Sequence, residues 1–306
     1  MLSKFRVPAI VKSNRHYQPG RMLIFKLAGK TALCSVREAV EGQATAQRFT
    51  DILAGFSNNC HLLEHDPAGF NLWRTPRGDI WTPHLDDPKE LCWVLTEVDV
   101  GVYGSGVVSV QQGDTVFDCG ANVGLFTRNA LAAGADLVVA IEPAPSNAEC
   151  LRRNLRTELA NGRVILKEVG LWDGDTVLPF SVSARSSLAN SFVLEGDNSI
   201  ATAPLPLTTV DRITSELALP RIDFIKMDIE GAEQRALRGA RNVVVRDLPK
   251  MAVGVEHDFP TPAANARAVR DIVLEISSAY TCRCGLCIQG TDGVIAPQVL
   301  WFGRRH

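Results

Sequence analysis

The amino-acid sequence predicts an α/β protein. A mostly parallel sheet covered by helices is closed by a C-terminal antiparallel strand pair and preceded by an α+β accessory region. Three observations predict it. Residues 115–126, "TVFDCGANVGLF", read as a short apolar strand, a glycine-bearing turn and the start of a helix. Downstream, apolar runs of strand length alternate with helical segments, the pattern of βαβ units. The final stretch, "YTCRCGLCIQGTDGVIAPQVLWFG", reads as two strands joined by a turn at Asp292-Gly293.

The elements follow in order, with residues 1–100 expected as the accessory region and 101–306 as the main domain. The first 37 residues carry Lys4, Arg6, Lys12, Arg15, Arg21, Lys26, Lys30 and Arg37 and no acid. A solvated arm accounts for this simply; contact with an anionic substrate, carrier or membrane surface is the functional alternative. Residues 35–55 show mixed helical spacing, and 70–84 read as a hairpin turning at Pro76-Arg77-Gly78. Asp87-Pro88-Lys89-Glu90 opens a helix, with an N-cap, a proline at the first helical position and a glutamate three residues after the cap. That helix runs through Leu91, Trp93, Val94 and Leu95 towards Glu97, stops near Gly101, and is expected to pack over the mouth of the site.

Gly113-Asp114 turns the chain into the first core strand. A helix over 123–133 and a strand over 137–142 follow, and Ser146-Asn147-Ala148-Glu149 reads as a capping box opening the next helix. The third strand spans 164–169. Residues 175–210 interrupt the rhythm as an insertion of short strands and a polar loop. The fourth strand covers 222–228 with a helix from about Gly231, the fifth covers 251–256, and Thr261-Pro262 starts another helix.

Apolar content of 46% and charged content of 22% are those of an ordinary globular protein, and a net charge of −2 gives no reason to expect nucleic acid as a partner. No apolar run is long enough for a membrane span, and the N-terminus lacks a secretory signal pattern. Eight cysteines in apolar settings suit reduced thiols, so a cytoplasmic location is expected. The oligomeric state is not legible.

The turn after the first strand is the expected cofactor site. Asp118 ends the strand, and Gly120, Ala121, Asn122 and Gly124 form a turn whose glycines admit close approach by a ligand or a neighbouring backbone. The helix N-terminus beyond aims free N–H groups at the turn. Glu142, at the end of the next strand, is placed to accept hydrogen bonds from ribose hydroxyls. A dinucleotide is disfavoured, because Asn122 stands at the second glycine position of that fingerprint and the Asp118 carboxylate would repel a pyrophosphate. The same carboxylate suits a ligand bearing an ammonium and a sulfonium, which points to S-adenosylmethionine. Thr127 either adds a hydroxyl at the methionine end or bonds its own backbone. Pro143 is expected on one side of an adenine slot, with Val169, Gly170 and Leu171 on the other.

In "DFIKMDIEGAE" the fourth strand alternates Ile225, Met227 and Ile229 with Lys226, Asp228 and Glu230. A central parallel strand is normally apolar on both faces, so this charged row is expected at the mouth of the site, at the carboxyl edge of the sheet. Asp228 is expected beside the reacting group, with Lys226 as its counter-charge. Glu233 is expected to serve the next helix rather than the reaction. His257, after Glu256 at the end of the fifth strand, is the leading candidate for proton transfer, with Glu230 the other. Ser186, Ser187 and Asn190 read as loop residues that could touch an acceptor. Cys282, Cys284 and Cys287 make C-x-C-x-x-C, but no fourth ligand lies nearby in sequence, so packed thiols and no metal are expected.

"VFDCGANVGLFT", "VVAIEPAPSNAECLRRNL", "PLTTVD" and "DFIKMDIEGAEQRALRGA" resemble the FkbM-type family of class I S-adenosylmethionine-dependent methyltransferases, over roughly residues 95–302. The resemblance implies a Rossmann-like class I methyltransferase sheet, S-adenosylmethionine as cofactor, and O-methylation of a small-molecule, natural-product or glycan hydroxyl. A non-catalytic S-adenosylmethionine-binding or scaffold protein and a nicotinamide-dependent oxidoreductase are the other classes. A titration of S-adenosylmethionine against NAD separates the cofactor classes, and mass spectrometry of a methylated product separates enzyme from scaffold.

Overall fold

A computed structural model describes residues 26–29, 33–84, 88–104, 106–183, 191–193, 199–201, 204–256, 262–289 and 294–305. Lys4, Arg6, Lys12, Arg15, Arg21, Lys30, Asp87, Ser186, Ser187, Asn190, His257, Asp258, Thr261 and the Asp292-Gly293 turn lie outside these residues.

Helix α1 (Val36–Asn59) begins with a reciprocal capping box: Ser35 Oγ accepts the Glu38 N–H at 3.2 Å, and the Glu38 carboxylate accepts the Ser35 N–H at 2.7 Å. Strands β1 (His61–Asp66), β2 (Phe70–Thr75) and β3 (Gly78–Pro83) form an antiparallel sheet in sequence order. The expected hairpin is β2–β3. β1 went unread because its residues are mostly polar and exposed, with no alternation to signal a strand. In α2 (Lys89–Val100) Pro88 is the cap rather than the first helical residue, and Gly101, at φ 74, ends the helix in a left-handed turn.

The main sheet then builds in βα steps: β4 (Thr115–Cys119), α3 (Leu125–Ala132), β5 (Leu137–Ile141), α4 (Pro145–Asn154), α5 (Arg156–Ala160) and β6 (Val164–Lys167). The expected capping box at Ser146 is not formed. Pro145 occupies the first turn, Ala144 is the cap, and Glu149 instead pairs with Arg152 and Arg153. The insertion holds β7 (Gly170–Leu171), β8 (Thr176–Leu178), β9 (Ser181–Ser183), β10 (Ser199–Ala201) and β11 (Leu205–Thr208). The rhythm resumes with α6 (Val210–Glu216), β12 (Phe224–Met227), α7 (Glu233–Arg238), α8 (Arg241–Asp247), β13 (Lys250–Gly254), α9 (Pro262–Ile276), β14 (Tyr280–Gln289) and β15 (Ile295–Arg304).

The seven-stranded sheet runs β14-β15-β13-β12-β4-β5-β6. β13, β12, β4, β5 and β6 pair in parallel, and β15 is antiparallel to both of its neighbours. This is the class I methyltransferase layout that the resemblance implied.

Side-chain alternation divides the core. On one face Phe117, Val139, Ile225 and Val253 pack with Val244, Val269 and Val273 from α8 and α9. On the other, Val116, Val138, Phe224 and Ala252 pack with Phe49, Phe126, Ala130 and Leu151 from α1, α3 and α4. At about 25 cal/mol per Å² of apolar surface, each fully buried Phe or Ile contributes roughly 1.5–3 kcal/mol. The loops at the carboxyl ends of β4, β5, β12 and β13 are thus held on a rigid floor. Among the described residues no helix is long and apolar enough to cross a membrane.

Candidate functional site

The β4–α3 turn alternates left-handed residues: Gly120 at φ 81, Asn122 at φ 50 and Gly124 at φ 88. The glycines answer to the protein itself. A Cβ on Gly120 would lie 1.9 Å from the Asp228 carbonyl oxygen, and one on Gly124 would lie 2.8 Å from Leu155 Cδ1. The first keeps the turn against the exit of β12, where the Asp228 N–H donates to the Cys119 carbonyl at 3.0 Å. Ala121 is buried in the core beneath the turn.

Asp118 points inward. It is fully buried, Thr127 donates its hydroxyl to Oδ2 at 2.7 Å, and Lys226 Nζ lies 3.4 Å from Oδ1. The ammonium that Asp118 meets is therefore the chain's own, and the Thr127 hydroxyl serves Asp118 rather than its own helix. Lys226 also donates to the Gly120 carbonyl at 2.6 Å and stands 5.2 Å from the Tyr103 ring. Burial works to lower the Lys226 pKa, but the nearby Asp118 and Asp228 carboxylates outweigh it, and the pKa is raised.

Glu142 sits directly after β5 and is 5% exposed. Its carboxylate accepts the Asn122 N–H at 2.8 Å, the Ala144 N–H at 2.9 Å and the Asn147 side-chain amide at 3.4 Å. Burial nevertheless pushes its pKa up to about 7, against those donors. Glu142 and the glycine turn therefore form one hydrogen-bonded unit. Pro143 beside it is half-buried. Gly170 faces the insertion: a Cβ there would lie 2.4 Å from the Phe192 ring, which itself packs 4.6 Å from the Phe180 ring.

At the end of β12 the charged row parts. Lys226 reaches beneath the turn, while Asp228 is half-buried at the sheet edge. Tyr103 donates its hydroxyl to Asp228 Oδ2 at 2.7 Å, and a Cβ on Gly254 would lie 3.0 Å from Asp228 Oδ1. Glu97, from α2, is held by the Trp93 indole N–H at 2.8 Å. Burial, then Glu256 and Asp228, raise the Glu97 pKa well above the carboxylate range. Burial and the same acids raise the Tyr103 hydroxyl. Three carboxyl groups and a tyrosine, from α2, the segment after it and the loops that follow β12 and β13, therefore meet at one sheet edge.

The loop beyond β12 is shaped from behind. Glu233 is fully buried and accepts the Ile229 N–H at 2.9 Å and the Gly231 N–H at 3.3 Å. Glu230 adopts φ 53, and its carbonyl accepts the Ser191 hydroxyl at 2.7 Å, which ties the insertion to the site. Sequence reasoning had α2 over the mouth but missed Glu97, Tyr103 and Glu256 as a group. The one available signal was an acid at the end of an apolar helix placed before the glycine turn.

Residues 118–285 match the family model described as the methyltransferase FkbM domain. The 31-O-demethyl-FK506 methyltransferase FkbM of Streptomyces tacrolimicus is 30% identical over 180 residues, covering 49% of this chain and 68% of that protein. A solved methyltransferase FkbM from Methylobacillus flagellatus aligns with a TM-score of 0.48 at 16% identity, over 86% of this chain and 60% of that one. A putative methyltransferase from Streptococcus mutans, solved with SAH, aligns with a TM-score of 0.40 at 12% identity, over 64% of this chain and 91% of that one. With the family model spanning more than half of its residues, this chain belongs to the FkbM methyltransferase family.

Proposed function

We propose that the chain is an S-adenosylmethionine-dependent O-methyltransferase acting on a hydroxyl of a small-molecule, natural-product or glycan acceptor. The observation that carries this is the acidic edge beside the Glu142–glycine-turn unit. Asp228, Glu97 and Glu256 crowd there, while Lys226 is committed to Asp118 and a backbone carbonyl. Such a set of acceptors favours a ligand that is cationic at one end and carries a diol at the other. S-adenosylmethionine has that form, and when bound it supplies a methyl group on a sulfonium. Oxygen as acceptor is supported by the name of the Streptomyces relative, which specifies an O-demethyl substrate.

The residues divide the work. Glu142, fixed by three N–H donors, is set to accept hydrogen bonds from ribose hydroxyls, with Asn122 and Pro143 beside it. Asp228, oriented by Tyr103, positions cofactor or acceptor. Alignment of acceptor and methyl supplies much of the rate. A proton must leave an acceptor hydroxyl, and a base with a pKa near neutrality does this best. Glu97, held by the Trp93 indole at the same edge, is placed for it. His257, next in sequence to Glu256, and Glu230 are the further candidates. Residues 1–100 then act as an accessory region whose α2 delivers Glu97. Free thiols throughout suit a cytoplasmic location.

Calorimetric titration tests the reading without any acceptor. S-adenosylmethionine and its demethylated product should bind in the micromolar range, about −8 kcal/mol, and NAD should not compete. Glu142→Ala should weaken binding by about 1.5–3 kcal/mol. Unchanged affinity in a folded variant removes the ribose assignment, and failure of both ligands to bind removes the cofactor.

A further inference from the structure

The cysteines carry information the proposed reaction does not use. Cys34, Cys284 and Cys287 bring their sulfur atoms within 4.8 Å of one another. They come from opposite ends of the chain. Cys34 directly precedes the Ser35 cap of α1, and the other two lie on β14. Residues three apart on a regular strand face opposite sides. Leu286 breaks that alternation, with φ +42 in the left-handed region that a branched side chain avoids. The strand kinks between the two cysteines, and both thiols reach Cys34.

The junction around them is closely built. α1 lies so near the kink that a Cβ on Gly42 would sit 2.7 Å from the Cys287 carbonyl oxygen. Glu38 of the capping box also accepts the Cys284 N–H at 2.9 Å, which ties the start of α1 to the strand. Cys34 and Cys287 are each 2% exposed and Cys284 is 9% exposed. Three soft donors thus converge in one buried cluster. Plain packing of thiols needs neither a left-handed leucine nor convergence of three sulfurs.

We propose that Cys34, Cys284 and Cys287 bind a thiophilic metal ion, with Zn²⁺ as the ion tested, and that this site fastens α1 to the edge strand of the sheet. Zinc–thiolate bonds of about 2.3 Å in a tetrahedron place sulfurs roughly 3.8 Å apart, so closure needs side-chain movement of about 1 Å. Thiolates are the binding form, so metal uptake displaces the thiol protons. A solvent-derived ligand takes the fourth position. This reverses the expectation of no metal drawn from the C-x-C-x-x-C spacing. The third sulfur is Cys34, from the far end of the chain, rather than Cys282.

Metal analysis of the purified full chain under a non-chelating reductant tests it, together with Co²⁺ titration. The expected result is one equivalent of zinc per chain and, with Co²⁺, sulfur-to-metal charge transfer with tetrahedral d–d bands. Outer-shell changes alone cost about 10- to 100-fold in metal affinity, so Cys34→Ala or Cys284→Ala should cost more than that, and Cys60→Ala should not. A chelator should lower the Tm of the wild type and leave that of Cys34→Ala unmoved. If the cysteine variants fail to fold, the wild-type Co²⁺ spectrum decides alone, because it reads thiolate ligation directly. No metal uptake by the reduced wild type, a Co²⁺ spectrum without charge transfer, or zinc retained after all three cysteines are replaced would each overturn the proposal.

Discussion

Replacing Glu142 with glutamine should change how stability depends on pH. In the fold the Glu142 carboxyl titrates at about 7, against an ordinary value of 4.5, because burial outweighs its three N–H donors. Below pH 4.5 the group is protonated in both folded and unfolded chains, and its full contribution to stability is present. Between the two values unfolding releases a proton, so stability falls as the pH rises. Above about 7 both states are ionised and the loss is complete. The interval from 4.5 to about 7 corresponds to at most roughly 3 kcal/mol. Glu142→Gln cannot ionise. The stability difference, wild type minus variant, should therefore decline by up to that amount across the interval. Urea unfolding followed by circular dichroism at stepped pH measures it for both proteins. A difference independent of pH would refute the reasoning, since Glu142 would then titrate as an ordinary carboxylate. On the proposed function the ionised form accepts from the ribose, so wild-type cofactor affinity should rise as the pH passes 7 and that of the variant should stay flat.

Lys226→Met should destabilise by about 3–5 kcal/mol, because it strands the buried Asp118 carboxylate; adding Asp118→Asn should recover much of the loss. Urea unfolding reads both, and an equal loss in the double variant would show that the pair is not coupled. Tyr103→Phe removes a bond to a charged partner, worth about 1.5–3 kcal/mol, and should lower turnover more than cofactor affinity. Unchanged kinetics would reduce Tyr103 to packing. Gly120→Ala must place a Cβ 1.9 Å from the Asp228 carbonyl oxygen at φ +81, so thermal unfolding should show a loss well above about 1 kcal/mol.

Local patterns made most of the sheet legible. The strand–turn–helix of residues 115–126, the Gly101 stop and the C-terminal pair each announce themselves within a few residues. Boundaries shifted by a residue or two where a proline chose the start, as at Pro145. What the chain did not reveal is whatever depends on tertiary convergence. Glu97 reads as the polar end of an apolar helix until the fold brings it beside Asp228 and Glu256. Phe192 is one aromatic residue in a loop-rich insertion until it covers Gly170. Cys34 has no partner in sequence, because the groups it meets are set by a kink near the other end of the chain.

The fourth strand shows where a sequence argument could have gone one step further. Lys226 and Asp228 are two residues apart, and on an ideal strand they share a face, so a charged row at the site mouth followed. β12, however, ends at Met227, and only Asp228 lies beyond the ladder. Lys226 is still within it, and its register partner on β4 is Asp118. A lysine inside a central parallel strand is tolerable only with a carboxylate and further acceptors to replace water. The adjacent strand supplies Asp118, and the Cys119 and Gly120 carbonyls complete the set. Aligning the two parallel strands by their carboxyl ends would have placed the lysine opposite the first acid of the glycine turn. The acid then serves first to bury a lysine under the turn, and through it to hold the turn against β12. The acidity that a cationic ligand would meet is left to Asp228, Glu97 and Glu256, beyond the ends of the strands.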